Sequence, residues 1–141
     1  MSNALILAQW FRDVWIEGDL DAIDRMFPAE TEAQGMMSFS LTAQDFKELV
    51  PAYTELVDDF SIEVINLIEH GPWVAALIAV KGTHSYTGTA ISFSGQLMAK
   101  IENGLFVEVY NNFDFITFFE QIGALPPDTI ALALSGEPLV A

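Results

Sequence analysis

Apolar residues recur at three- and four-residue intervals in the first third of the chain and alternate with polar ones later, and this change of period is the main structural signal. From Leu5 to Glu17 the positions Leu5, Ile6, Ala8, Trp10, Phe11, Val14 and Trp15 follow helical spacing, with Asn3 placed to cap and Gly18 to stop the helix. Asp19 caps a shorter helix, Leu20 to Phe27, which Pro28 ends. Residues 29–40, rich in Met and Ser, suit a short strand or an irregular edge. Thr42 caps a third helix, Ala43 to Leu56, which Pro51 should kink or end. From Ser61 the period is strand-like, and turn signals fall at His70-Gly71-Pro72, Gly88-Thr89 and Asn103-Gly104. They delimit four strands at about 58–69, 73–86, 91–102 and 105–114, before a returning segment at 115–122 and a tail opened by Pro126-Pro127. Helices followed by an antiparallel meander predict an α+β fold, with N-terminal helices closing the mouth of a strongly bent sheet around an apolar pocket. The length suits a single domain over residues 1–141, with a core at about 5–125 and a C-terminal tail at 126–141.

Register turns this outline into a testable arrangement. A two-residue turn at Asn103-Gly104 pairs Glu102 with Leu105 and carries Asp114 opposite Phe93. A type II′ turn at Gly88-Thr89 sets His84 opposite Phe93, and a three-residue loop at 70–72 sets Asp58 opposite His84. Directly opposed residues share a face, so Asp58, His84, Phe93 and Asp114 form one predicted row across four strands. The rest of that face, including Ile62, Ile78, Val80, Leu97 and Tyr110, is apolar and reads as inward. The opposite face mixes charged and amide residues, Asn111 among them, with a patch of Leu77, Ala79, Met98, Val107, Val109 and Phe113, and predicts a homodimer formed through that outer face.

The 141 residues are 52% hydrophobic and include 11 Phe, far more apolar side chain than a disordered chain carries. Twenty acidic and five basic residues give a formal net charge of −15, which repels a nucleic-acid backbone or an anionic membrane surface. The absence of cysteine removes disulfides, thiolate nucleophiles and cysteine metal sites. No apolar run approaches the ~20 residues of a membrane span and the start lacks a basic leader region, so the expected location is the cytoplasm. No phosphate-binding glycine loop, nucleophile elbow or metal-spaced histidine pair is present, so neither metal nor cofactor is expected.

Asp114 and His84 are the candidate catalytic pair. Asp114 closes the last strand beside Phe113 and Phe115, where dry surroundings would disfavour its charged form and suit it to general acid/base work. It is equally placed to cap the helix beginning near Phe115. His84 follows Gly82-Thr83 and is either the partner of Asp114 or a hydrogen-bonded core residue. Row neighbours two strands apart are separated by roughly 9–10 Å, space for a substrate between them. Asp58 could orient the His84 ring, or simply be a solvated strand entry. Tyr53, Tyr86, Phe93, Tyr110 and Asn112 complete the expected substrate-binding set, each of them also readable as an ordinary core or surface residue.

The stretches Lys81-Gly82-Thr83-His84, Ala99-Lys100-Ile101-Glu102-Asn103-Gly104 and Phe106-Val107-Glu108-Val109-Tyr110-Asn111-Asn112-Phe113-Asp114, running into Gln121-Ile122-Gly123-Ala124, resemble the SnoaL-like polyketide cyclases. Trp10 and Trp15-Ile16-Glu17-Gly18-Asp19 also fit that family's opening. The resemblance covers most of residues 5–125. It implies a nuclear transport factor 2-like (cystatin-like) fold: a cone of helices and curved mixed or antiparallel sheet, usually dimeric. It also implies cofactor-free ring closure by intramolecular aldol addition, with Asp114 matching the family's acid/base and His84 its histidine. The chain departs in its short Ser85-Tyr86-Thr87-Gly88-Thr89 hairpin, in Lys100 where many members have Arg, and in Tyr110 where Trp is common. The reading is therefore an acid/base enzyme, cyclase- or isomerase-like, acting on a small hydrophobic carbonyl compound. The alternative is a non-catalytic carrier of an apolar metabolite. An isomerase resembling ketosteroid isomerase would instead use Tyr53 or Tyr110 at the oxyanion.

Overall fold

The computed structural model describes residues 2–37 and 39–139. Helix α1, Asn3–Trp10, begins at a Ser2 cap rather than at Asn3 and passes into a wider π-helical stretch, Phe11–Ile16. Gly18, at φ +69°, then turns the chain into α2, Asp21–Met26. A two-residue strand β1, Ala33–Gln34, precedes α3, Ala43–Thr54, whose capping box pairs Thr42 and Asp45 reciprocally. Pro51 sits within α3 without ending it. Four long strands follow: β2, Val57–His70; β3, Trp73–His84; β4, Ala90–Glu102; and β5, Leu105–Phe113. Helix α4, Phe115–Gln121, returns over the sheet. The C-terminal tail carries a short helix α5, Thr129–Leu134, held where Glu120 accepts the Thr129 N–H at 2.8 Å.

The sheet order is β1-β5-β4-β3-β2, antiparallel except for the parallel contact of β1 with β5. The fold is thus the α+β, mixed-sheet architecture expected, and the core lies between the helices and one sheet face. Trp10 is at its centre, with its ring centroid 5.2–5.8 Å from those of Phe27, Phe46 and Phe106. Asn103-Gly104 forms the expected two-residue turn, with both residues at positive φ and Glu102 paired to Leu105.

Beyond that turn the register departs from the expected row. Ile101 pairs with Phe106 but Lys100 pairs with Glu108, so Val107 is an extra residue, a β-bulge. One inserted residue reverses the faces of everything after it. Val109, Asn111 and Phe113 therefore turn inward, and Tyr110, Asn112 and Asp114 turn outward. Gly95, not Phe93, faces the end of β5, opposite Phe113.

The β3–β4 loop is longer than a Gly88-Thr89 turn. His84 N–H donates to the Thr89 carbonyl at 2.8 Å and Gly88 N–H to the His84 carbonyl at 2.9 Å, closing a five-residue loop. This moves Phe93 by four positions, to face Val80, which leaves its face unchanged. The loop expected at 70–72 is a two-residue turn, with His70 paired to Trp73, and the irregularities at Ile65 and at Asp59-Phe60 each shift β2 by one residue, so that Val57, not Asp58, lies opposite His84. The predicted row of Asp58, His84, Phe93 and Asp114 does not exist in this register.

The Phe113 ring lies directly over Gly95, where an added Cβ would clash with it. Gly95→Ala should therefore lower stability by about 1–3 kcal/mol, as overpacking does. Chemical denaturation checks this; an unchanged midpoint would mean that Phe113 does not sit over the sheet.

Candidate functional site

The inner sheet face and the helices enclose a cavity through which the centre of a water molecule can move over about 50 Å³. Twelve of its nineteen wall residues are aromatic. They come from every layer: Trp10 from α1, Phe11 and Trp15 from the π-helical stretch, Phe46 and Tyr53 from α3, Phe93 from β4, Phe115 and Phe118 from α4. Phe115 stacks on Tyr53 with centroids 4.9 Å apart, and Trp15 lies 6.3 Å from Tyr53. Burial raises the Tyr53 phenol above the usual tyrosine value, so it stays neutral and able to donate a hydrogen bond well past neutral pH.

Against these aromatics the wall carries one amide, Asn111, opposite Leu97 on the inner face. Asn111 is only 4% exposed. The described residues place no Asp, Glu, His, Lys or Arg on this wall. Asn111 departs from the outer face expected of it because Val107 is an extra residue in β5. The available signal was that Phe106 and Val109, both large and apolar, are three residues apart, an odd spacing that only a bulge can bring to one face.

Of the sequence-predicted residues, Tyr53 and Phe93 reach the cavity. His84 is buried at 7% exposure but off its wall, at the end of β3, where Nδ1 and the Thr87 hydroxyl share a hydrogen bond of 2.8 Å. Tyr86 is 81% exposed, its ring edge-on to His84. Asp58 is exposed and accepts a hydrogen bond from the Ser85 hydroxyl at 3.3 Å. Tyr110 lies on the outer face and donates to Glu108 at 3.0 Å; that bond, and then the charge of Glu108, hold its pKa above the ordinary value. Asn112 and Asp114 border an open outer groove with Ser94 and Gln96.

The Asp114 carboxylate is exposed and caps α4, accepting from the Thr117 N–H at 3.1 Å and the Thr117 hydroxyl at 2.6 Å. The dry surroundings proposed to tune it are therefore absent, because the bulge points it to the outer side. Asp114 and His84 are not brought together on the cavity wall. Among the described residues no group of three His, Asp or Glu could hold a metal, and no helix is long and apolar enough to cross a membrane.

Helices packed on one face of a five-stranded mixed sheet, over an aromatic cavity, form the nuclear transport factor 2-like fold, also described as ketosteroid isomerase-like. The sequence profile of the SnoaL-like polyketide cyclases matches residues 5–122, and the chain belongs to that family. Among solved structures it is similar to wild-type IdmH from Streptomyces antibioticus, described as a candidate polyketide cyclase. That match has 17% identity and a TM-score of 0.76, and covers 87% of this chain and 99% of the other. A candidate polyketide cyclase from Bacillus cereus shows 20% identity and a TM-score of 0.73, over 82% and 77% of the two chains. A protein of ketosteroid isomerase-like fold from Catenulispora acidiphila, in complex with trimethylamine, shows 11% identity and a TM-score of 0.70, over 84% and 92%. No curated protein matches the chain.

Asp114→Ala should cost about 1 kcal/mol of stability through loss of the α4 cap. Thermal or chemical unfolding checks this, and a stability gain on removing Asp114 would contradict the capping role.

Proposed function

We propose that this SnoaL-like domain encloses one compact hydrophobic molecule and holds it without transforming it, as a binding or carrier protein for an apolar metabolite. The observation that supports this reading is the composition of the wall: aromatic and aliphatic side chains, one amide and the neutral phenol of Tyr53, with no carboxylate or imidazole among the described residues. General acid/base chemistry needs a group of suitable pKa within hydrogen-bond reach of the proton it moves. Asp114 is engaged with Thr117 on the outer side, and His84 with Thr87 at the strand end.

Family membership favours a second reading, a cofactor-free acid/base enzyme of cyclase or isomerase type working on a hydrophobic carbonyl compound. In that reading Asp114 is the proton shuttle and His84 its partner, and Asp114 has to leave Thr117 and cross to the inner side of β5. The two readings separate on one variant. A series of small hydrophobic ketones should quench the fluorescence of Trp10 and Trp15, both at the wall, and Asp114→Asn should bind them with the wild-type affinity. A ketone that the wild type turns over and Asp114→Asn does not would establish the enzymatic reading instead.

The outer sheet face is proposed to pair with a second copy of the chain. With Val109 and Phe113 turned inward, its apolar patch is Leu77, Met98, Val107 and Tyr110, of which Met98, Val107 and Tyr110 are 39–45% exposed. Light scattering at micromolar concentration should give the mass of two chains and Met98→Glu that of one; a monomeric wild type would rule the pairing out.

A further inference from the structure

Four polar residues are buried among the described residues: Thr31, His84, Asn111 and Thr129. Three make a side-chain hydrogen bond to the protein. The Thr31 hydroxyl donates to the Phe106 carbonyl at 2.8 Å, His84 bonds Thr87 at 2.8 Å, and the Thr129 hydroxyl donates to the Pro126 carbonyl at 2.9 Å. Asn111 alone makes no side-chain hydrogen bond to a described residue, and no fully enclosed polar side-chain atom lacks a partner. Its amide must therefore keep its small residual exposure, and as a wall residue of the cavity it has that space to face.

A buried amide used for structure is normally bonded by the protein, because leaving it unpaired is costly. An amide kept at 4% exposure without such a bond, amid aromatic rings, is poised for a ligand. The class of ligand follows from the wall. Among the described residues no charged side chain lines it, so a carboxylate, phosphate or ammonium would be desolvated without a counter-charge. An amide both donates and accepts, which matches a carbonyl or a hydroxyl. The cavity is small, about 50 Å³ against the roughly 150 Å³ of an apolar cavity that holds benzene, which makes a single ring the upper limit of ligand size.

We infer that Asn111 is the specificity-determining residue of the cavity, and that its ligand is a neutral compound of about one ring bearing a single carbonyl or hydroxyl group. This rests on the pocket reading above but goes beyond it, by assigning the selecting residue and the ligand chemistry.

The test is an NMR titration of wild type and Asn111→Leu with toluene, p-cresol and benzoate. In the wild type p-cresol should bind roughly three- to tenfold more tightly than toluene, the ratio that one net hydrogen bond gives. In Asn111→Leu that ratio should fall to about one while toluene binding persists, and benzoate should bind neither protein. A ratio that survives in Asn111→Leu, a wild type with no preference for p-cresol, or benzoate as the best ligand would overturn the inference. If none of the three binds the wild type, the pocket reading fails and takes this one with it. The variant should fold, since leucine replaces an amide that no described residue satisfies. If it does not, Asn111→Ala serves in its place, and unfolding of both variants would show Asn111 to be structural.

Discussion

One extra residue in β5 governs the site. Because side chains alternate along a strand, Val107 as a bulge sends Asn111 into the cavity and Asp114 out to the start of α4, where the same-length strand without it would do the reverse. The two consequences support each other. Outward, Asp114 finds the Thr117 N–H and hydroxyl and starts α4 at an angle that brings Phe115 and Phe118 back to the cavity wall. Inward, Phe113 covers Gly95, the strand position that lacks a side chain to resist it.

Most of the architecture was legible because its signals are local. The Asn103-Gly104 turn, the Thr42 cap, the helical spacing around Trp10 and the strand alternation each act over a few residues, and each lies within a residue or two of where it was expected. Tyr53 and Phe93 line the cavity, and Phe93 keeps the face expected of it because a four-position shift of register is even. The site failed where a one-residue error was enough. Val107 and Ile65 look like ordinary strand residues, and a bulge adds nothing to composition that marks it. Asp59, at φ +52°, is the kind of residue that tolerates such a break, but its neighbour Asp58 drew attention as a partner for His84 instead.

The chain divides its chemistry sharply between inside and outside. Its fifteen excess negative charges stay on the surface, while the interior is an aromatic assembly in which Trp10 and Tyr53 each meet three phenylalanine rings. Such an interior gives large apolar area for a ligand and little electrostatic leverage on it. An enclosure of this kind selects by shape and by the few polar groups it admits, and for that reason the single amide matters more than its size suggests. The fold itself does not decide between holding a molecule and transforming it; the groups on the wall do.

The register of β5 is therefore the point on which the account stands, and cross-strand nuclear Overhauser contacts read it directly. The account predicts contacts linking Gly95 with Phe113 and Leu97 with Asn111, and contacts from the Asn111 side-chain amide protons to the aromatic rings of the cavity. A ladder linking Gly95 with Asn112 and Leu97 with Tyr110, with the Asn111 amide in exchange with bulk water, would contradict it.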